Sequence, residues 1–506
     1  MELLDLPSEI LHIILVHASL LGIKRALRLR LVCSTFAGAI YPALFETRLM
    51  DREHAIGTFR WHLENQHGAE KLWHEYLVHR VMGERDPSVG RFVEMRQTAE
   101  AACRETAIDL HTAVDGMCWL ALRHRREEKD REFRQWGPTR PRTANLNLNL
   151  MAFAAYFGLR DLAEKLIDGN LPTMHNYLFA PPMQVAAQMG NVPILHLFQE
   201  ALLKSQNEIW KFEPWSVTGA AIRGDLEVLK LALRPHTTTT QGENDGKYAD
   251  IDGHMLKKFK CTLETGREIL NIRQYASNPE VYDYLAGVLD ETEFEGDVYQ
   301  ELKVHSLGGN LPMVRHLLDL GAPIEHPQGI ETPLVMACRG LHLDIIDLLL
   351  DRGANLHFNN KYFPVFAFHE AAIAGSLSLA RKLLDRGANP NRAEPPGQAG
   401  GSHGKYPALW WAFERENTDM IRLLLERGAT FDGRYKDWIG KSLAEMTYYL
   451  GYHSMNNILR KDHGFQIPGP LHDPRKQRGL GWFKWGEAVT RYPRASDREW
   501  CAQYEN

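Results

Sequence analysis

The chain has 506 residues, with 59 basic and 64 acidic side chains and a formal net charge of -5. It is long enough for several domains or one long repeat array, and too evenly charged to suggest a nucleic-acid-binding field or a membrane-adhesive surface. No apolar run reaches the roughly 18 residues a membrane span needs, and the six cysteines (Cys33, Cys103, Cys118, Cys261, Cys338, Cys501) form no C-x-x-C pair, so free thiols in the cytoplasm or nucleus are expected.

The first element is "DLPSEILHIILVH", residues 5–17. A secretory leader would need positive charge where Glu2, Asp5 and Glu9 stand. Pro7 at a helix start and Glu9 in the first turn instead suit free N–H groups and the positive end of a helix dipole. Ile10, Leu11, Ile14 and Leu15 then fall on one helical face. In "RALRLRLVCSTFAGAIYPALFETRLMD" (25–51), Val32, Phe36 and Ile40 recur at helical spacing. The alternation of Leu27, Leu29 and Leu31 would suit a strand, but the helical pattern around it is longer. Residues 1–50 form a module too small to bury much surface alone, so it requires something to pack against.

Residues 51–144 read as a helical linker. Helices are predicted over Trp61–Leu77 and Phe92–Leu122, broken by "GERDPSVG". The mixed-charge run "RHRREEKDREFRQWGPTRPR" (123–142) reads as a solvated helix leading into the next domain rather than an import signal. "HEYLVH" (74–79) invites comparison with a zinc-binding H-E-x-x-H. Its histidines are five residues apart, which sets them about 140° apart on a helix, so they diverge.

From 145 to 464 the chain repeats itself. "TPLVMACRGLHLDIIDLLLDRGANLH" (332–357), "FAFHEAAIAGSLSLARKLLDRGANPN" (366–391) and "PALWWAFERENTDMIRLLLERGATFD" (407–432) are one unit. Each has a small-residue first helix, a short turn, a second helix ending in leucines, and an Arg-Gly-Ala loop. The turn positions are Gly158, Gly190, Gly224, Ser277, Gly309, Leu341, Gly375, Glu416 and Gly451, spaced by 32, 34, 53, 32, 32, 34, 41 and 35 residues. The two long spacings hold Gly-, Thr- and Pro-rich insertions at 235–266 and 392–405, the composition of surface loops. About nine units result, some degenerate. A helix pair cannot bury its apolar face alone, so such units stack into an all-α solenoid with a continuous core.

The T-P-L-x-x-A-C and L-L-x-R-G-A-N stretches resemble the ankyrin repeat, closely over 300–432 and poorly around 267–290. That resemblance implies a protein-binding surface built from first helices and hairpin tips. It places Arg339, Glu370, Trp411 and Arg415 at outward first-helix positions, Tyr362, Phe363 and Tyr406 near tips, and Trp410 where the repeat has its backbone-bonding histidine. His369 is such a histidine. Trp, Tyr and Arg dominate interface hot spots, which favours the 406–415 region, although Trp410 could equally fill a gap between helices.

The N-terminal run Leu6-Pro7-x-Glu9-Ile10, with Leu29 to Phe36 after it, looks like an F-box and is similar to fungal F-box and ankyrin proteins. The resemblance implies docking on a Skp-type adaptor, and through it a cullin-RING ubiquitin ligase, by Leu6, Pro7, Ile10, Leu11, Ile14, Leu31, Val32 and Phe36. The expectation is a ligase substrate receptor. The alternative is a non-ligase ankyrin scaffold whose N-terminal helices only cap the array, since repeat arrays need capping units.

The tail, 465–506, holds Trp482, Phe483, Trp485 and Trp500, too aromatic for ordinary disorder, and is expected to pack back on the array. No P-loop or dinucleotide turn is present. "YADIDGHMLKKF" (248–259) has Tyr248 and Phe259 where a calcium loop needs oxygen ligands. No catalytic residue, cofactor, metal, nucleic acid or membrane partner is expected, and the chain is not read as an enzyme.

Overall fold

The computed structural model describes residues 6–20, 26–27, 29–30, 32–48, 50, 69–85, 90–124, 145–167, 170–174, 178–205, 214–233, 271–288, 297–326, 331–358, 366–393, 406–415 and 417–430. Among them there is no strand, and no helix is long and apolar enough to cross a membrane. They belong to two compact units. One holds the described residues within 1–67, 306–309 and 324–506, and the other those within 68–305 and 310–323. The last predicted repeat (441–464), the tail and both long insertions apart from Arg392 and Ala393 lie outside the described residues.

The first unit opens with α1 (Ser8–Leu20) and α2 (Ser34–Glu46), which pack on each other. The buried side chains are Leu11, Leu15 and Val16 on α1 and Phe36, Ile40, Ala43 and Leu44 on α2. His12 Nε2 and Glu46 Oε2 join the two helices at 2.6 Å. Residues 26, 27 and 29 are helical, so the leucine alternation does not form a strand. Helix α2 starts only at Ser34, after Cys33 in an extended conformation. Val32 therefore precedes the helix instead of sharing its buried stripe, and it is 65% exposed.

In the second unit, the segment predicted as a linker contains α3 (Ala69–Gly83), α4 (Gly90–Glu105) and α5 (Leu110–His124), which pack on one another. The single helix predicted over Phe92–Leu122 is two. Asp109 starts the second by accepting from Thr112 N at 3.0 Å and Thr112 Oγ1 at 2.6 Å, the arrangement of an N-cap. Both α4 and α5 pack on α6 (Leu146–Phe157), the first helix of the repeats. His74 is buried against Trp119 while His79 is exposed, the divergence predicted from their spacing.

The repeats of this unit pair α6 with α7 (Arg160–Leu166), α8 (Pro182–Met189) with α9 (Val192–Ser205), and α10 (Pro214–Arg223) with α11 (Leu226–Leu233). The degenerate stretch supplies α12 (Pro279–Val288), followed by α13 (Val298–Gly308) and α14 (Leu311–Asp319). The first unit continues with the pairs α15 (Pro333–Gly340) and α16 (Leu343–Asp351), α17 (Ala367–Ala374) and α18 (Leu377–Asp385), and α19 (Ala408–Glu414) and α20 (Thr418–Glu426). First helices pack against first helices of the next pair, α8 on α10, α15 on α17 and α17 on α19. Small residues allow this. A Cβ on Gly219 would lie 2.3 Å from the Gln184 carbonyl oxygen, so α8 and α10 meet backbone to backbone there.

The predicted turns fall in register. Gly158, Gly190, Gly224, Gly309 and Gly375 take φ between 71° and 77°, the left-handed region glycine enters without cost. Leu341 enters the same region at φ 60° without that freedom. The residue after several of these turns works at both ends. Asn310 Oδ1 accepts from Met313 N, capping its own second helix, while its Nδ2 donates to the Ser277 carbonyl of the preceding turn at 2.7 Å. Asn278 does the same with Val281 N and the Gly224 carbonyl, and Asn417 with Met420 N and the Gly375 carbonyl. Asn191 donates to the Ala155 carbonyl, and His342 Nε2 to the Leu307 carbonyl. Asn278, Asn310 and Asn417 thus each satisfy one orphan group of their own helix start and staple it to a neighbour, while Asn191 and His342 supply the staple.

Candidate functional site

Two surfaces carry the residues singled out from the sequence. The first is the N-terminal helix pair. Burial of Leu11, Leu15 and Ser19 turns the opposite face of α1 outward, leaving Ile10, Ile13 and Ile14 exposed by 45%, 51% and 36%. Pro7 is also exposed, and Leu6 is half-buried. Leu11 and Phe36 differ: they are 6% and 7% exposed and face the interior of the pair. Leu31 lies outside the described residues. Ile13 was missed in the sequence reading, although it stands three residues from Ile10 and so shares its face.

The second surface is formed by the repeats from 331 to 430. Arg339 and Glu370, expected on outward positions, are instead buried at 3% and 1% exposure. Arg339 lies between two carboxylates, 3.0 Å from Glu370 Oε1 and 2.8 Å from Glu331 Oε1. An unpaired charge could not be buried so deeply, whereas a paired and hydrogen-bonded one can. The sequence reading missed Glu331, whose pairing across one helical turn and a loop leaves no local signature. Helix α15 is buried at every position from Pro333 to Gly340, so its burial is not confined to the stripe facing its partner helix.

Trp410 is buried and stacked on Tyr406, with ring centres 4.2 Å apart and planes inclined by 12°. Trp411 and Arg415 are half-exposed, as is Tyr406, and Trp411 meets the Tyr406 ring edge-on. Trp410 thus fills space in this pair, while Tyr406, Trp411 and Arg415 retain surface. Tyr362 and Phe363 lie outside the described residues. His369 behaves as expected of its position, donating from Nε2 to the Arg392 carbonyl at 2.8 Å.

Beyond these surfaces, Leu146, Leu171 and Met174 are exposed apolar side chains near the first repeat. The amide of Asn145 donates to Asn170 Oδ1 at 3.5 Å, which brings Leu146 and Leu171 together. Cys118 and Cys338 are buried, and burial pushes both thiols well above the ordinary range, so neither is a ready nucleophile. Among the described residues, no group of three or more His, Cys, Asp or Glu side chains could hold a metal ion.

Helix pairs of this length, turn chemistry and period resemble ankyrin repeats, and the family model for Ankyrin repeats (3 copies) matches residues 302–394. Similar relatives include the Ankyrin repeat and KH domain-containing protein mask-1 of Caenorhabditis elegans, 30% identical over 82 residues, covering 16% of this chain and 3% of that one. The human Ankyrin repeat and KH domain-containing protein 1 is 33% identical over 105 residues, 21% of this chain and 4% of that protein. The human Ankyrin repeat and SOCS box protein 11 is 47% identical over 47 residues, 9% of this chain and 15% of that protein. The chain thus spans a small part of each of these relatives. Ankyrin repeats imply protein–protein interaction.

Proposed function

We propose that this chain is a substrate receptor of a Skp-cullin-F-box ubiquitin ligase, working in the cytoplasm or nucleus, in which the N-terminal helix pair docks on the Skp-type adaptor and the ankyrin repeats capture a protein substrate. The supporting observation is the unburied face of α1. Ile10, Ile13 and Ile14, with Val32 nearby in sequence, are four of the eight large apolar side chains exposed among the described residues. A face of this kind on a small module marks an interaction site. The recruitment is non-covalent and requires no catalytic side chain in this chain.

The competing reading makes the N-terminal helices a mere cap of the array. Against it stands the packing of α4 and α5 on α6, which already covers the start of the repeats. A relative that joins ankyrin repeats to a SOCS box in one protein is a precedent for coupling such an array to a second module.

The test is calorimetric titration of the full chain with a Skp-type adaptor, beside a variant carrying Ile10→Ser, Ile13→Ser and Ile14→Ser. These side chains are already exposed, so the variant should fold as the native chain does. Burial of one such side chain in an interface contributes about 1.5–3 kcal/mol, so the triple variant should lose at least about a hundredfold in affinity. No binding by the folded native chain would overturn the receptor reading.

A further inference from the structure

We propose that the joint between the α15–α16 and α17–α18 pairs opens more readily than the α8–α10 joint, and that salt promotes the opening. Three independent features converge on this joint. The turn of the α15–α16 pair is held by Leu341, at φ 60° and ψ 29°, where the turns at Gly158, Gly190, Gly224, Gly309 and Gly375 carry no Cβ. An L side chain is strained in that region.

The staple that should secure this turn is also missing. The residue after the next turn is Ser376, where Asn191, Asn278, Asn310, His342 and Asn417 stand in other repeats. Its Oγ accepts from Leu379 N at 3.3 Å and lies 3.2 Å from Ser378 Oγ, so it serves its own helix start and is too short to cross to the preceding turn. The neighbouring joint on the C-terminal side retains Asn417 and adds Asn391 Nδ2 donating to the Gly428 carbonyl at 2.9 Å.

Charge replaces the staple. Lys382 pairs with Asp347, and Arg386 reaches Asp351 at 2.9 Å and Asp347 at 3.4 Å, all with side chains 28% to 64% exposed. Only the Arg339–Glu370 pair across this joint is buried. Exposed pairs contribute little and are screened by ions, whereas amide staples and buried pairs are not. The α8–α10 joint also lacks an Asn staple, since Asp225 has no N–H to donate. It is closed differently, by the backbone approach at Gly219 and by Gln199 Nε2 donating to the Leu231 carbonyl at 3.0 Å. A joint of backbone contacts and amide bonds is insensitive to salt.

Opening here would change the angle between the Arg339 and Trp411 portions of the array, and so the fit of whatever partner bridges them. The inference stands whether or not the N-terminal pair binds an adaptor.

Hydrogen exchange followed by mass spectrometry on the full chain tests it, at about 50 mM and about 1 M sodium chloride and fixed pH, a range over which the screening length falls severalfold. Peptides within 343–385 should exchange roughly three- to tenfold faster at high salt, while those of 214–233 change less than about twofold. Ser376→Asn should install the missing donor and reduce the salt response of 343–385 to that of 214–233. Leu341→Gly should slow exchange at both salt concentrations and leave their ratio unchanged, since it relieves the turn without touching a charge. An equal salt response in both regions, or an unchanged response in Ser376→Asn, would overturn the proposal.

Discussion

Ile345, Ile346 and Leu349 on α16 are 0% exposed, whereas Ile10, Ile13 and Ile14 on α1 remain 36% to 51% exposed. The two helices are equally rich in aliphatic side chains, and the difference lies in their neighbours. A second helix of a repeat has its own first helix beneath it, as α15 lies beneath α16, and its stripe at i, i+1 and i+4 is consumed. Helix α1 has enough apolar residues for two faces, and α2 covers one. Composition alone therefore does not separate a buried helix from one that keeps an apolar face exposed; the number of neighbours the topology supplies does.

Substitutions on α1 sharpen this contrast most. Leu15→Ala, at a position 1% exposed, should destabilise the helix pair by about 2–5 kcal/mol. Ile14→Ala, one residue away, should stay within about 0.5 kcal/mol of the native chain. Protection of α1 and α2 amides against exchange measures both. Equal losses would erase the distinction between the two faces.

Within the repeats, the next largest effect is one of pH. His305 on α13 is 5% exposed, and burial lowers its pKa from about 6.5 to about 4. As pH falls, the unfolded imidazole takes a proton first, so the neutral buried ring stabilises the fold fully above about pH 6.5 and loses that contribution down to about pH 4. Two and a half pH units correspond to about 3 kcal/mol. Thermal unfolding between pH 7 and 4 should show the loss in the native chain and much less of it in His305→Gln. An unchanged slope in the variant would assign the acid sensitivity elsewhere.

A smaller change tests the staples. Asn310→Ala removes both a helix cap and a bond to the preceding repeat, and should cost about 1–2 kcal/mol. Ser376→Ala, which removes only a cap, should cost less by chemical denaturation. The smallest effect is expected at Asp225. A hydrogen bond from Val228 N holds its carboxyl below the usual range, with Arg223 adding to the effect. Its contribution is present above the unfolded carboxyl pKa of about 3.9 and fades as pH falls through the lower folded value. Asp225→Asn should remove that part of the acid slope, seen as a smaller drop in melting temperature between pH 5 and 3.

The repeat register was legible in the sequence because glycine marks it. Gly158, Gly190, Gly224, Gly309 and Gly375 all adopt the left-handed turn, and even Leu341, identified only by spacing, occupies it. Less was legible where the determining contact is remote. The split of the helix predicted over Phe92–Leu122 depends on Asp109 acting as a cap, and the same residue type sits inside helices elsewhere. Burial of Arg339 and Glu370 depends on a pairing 31 residues apart, which no periodicity reports. On α1 the spacing identified an apolar surface without dividing it, since Ile10 and Leu11 are adjacent in sequence and separate only once α2 is in place.

The Asn and His staples have an evolutionary consequence. Each reads only a backbone carbonyl of the unit before it, as Asn310 reads Ser277 and Asn278 reads Gly224. A whole unit can be duplicated or lost without rewriting the rest, because any turn can serve as predecessor to any other. Both long insertions enter away from these turn staples, after a second helix and before the next first helix. The inserted stretches at 235–266 and 392–405 lie in that interval, beyond α11 and α18 respectively, and there the sequence is free to lengthen without a change of grammar.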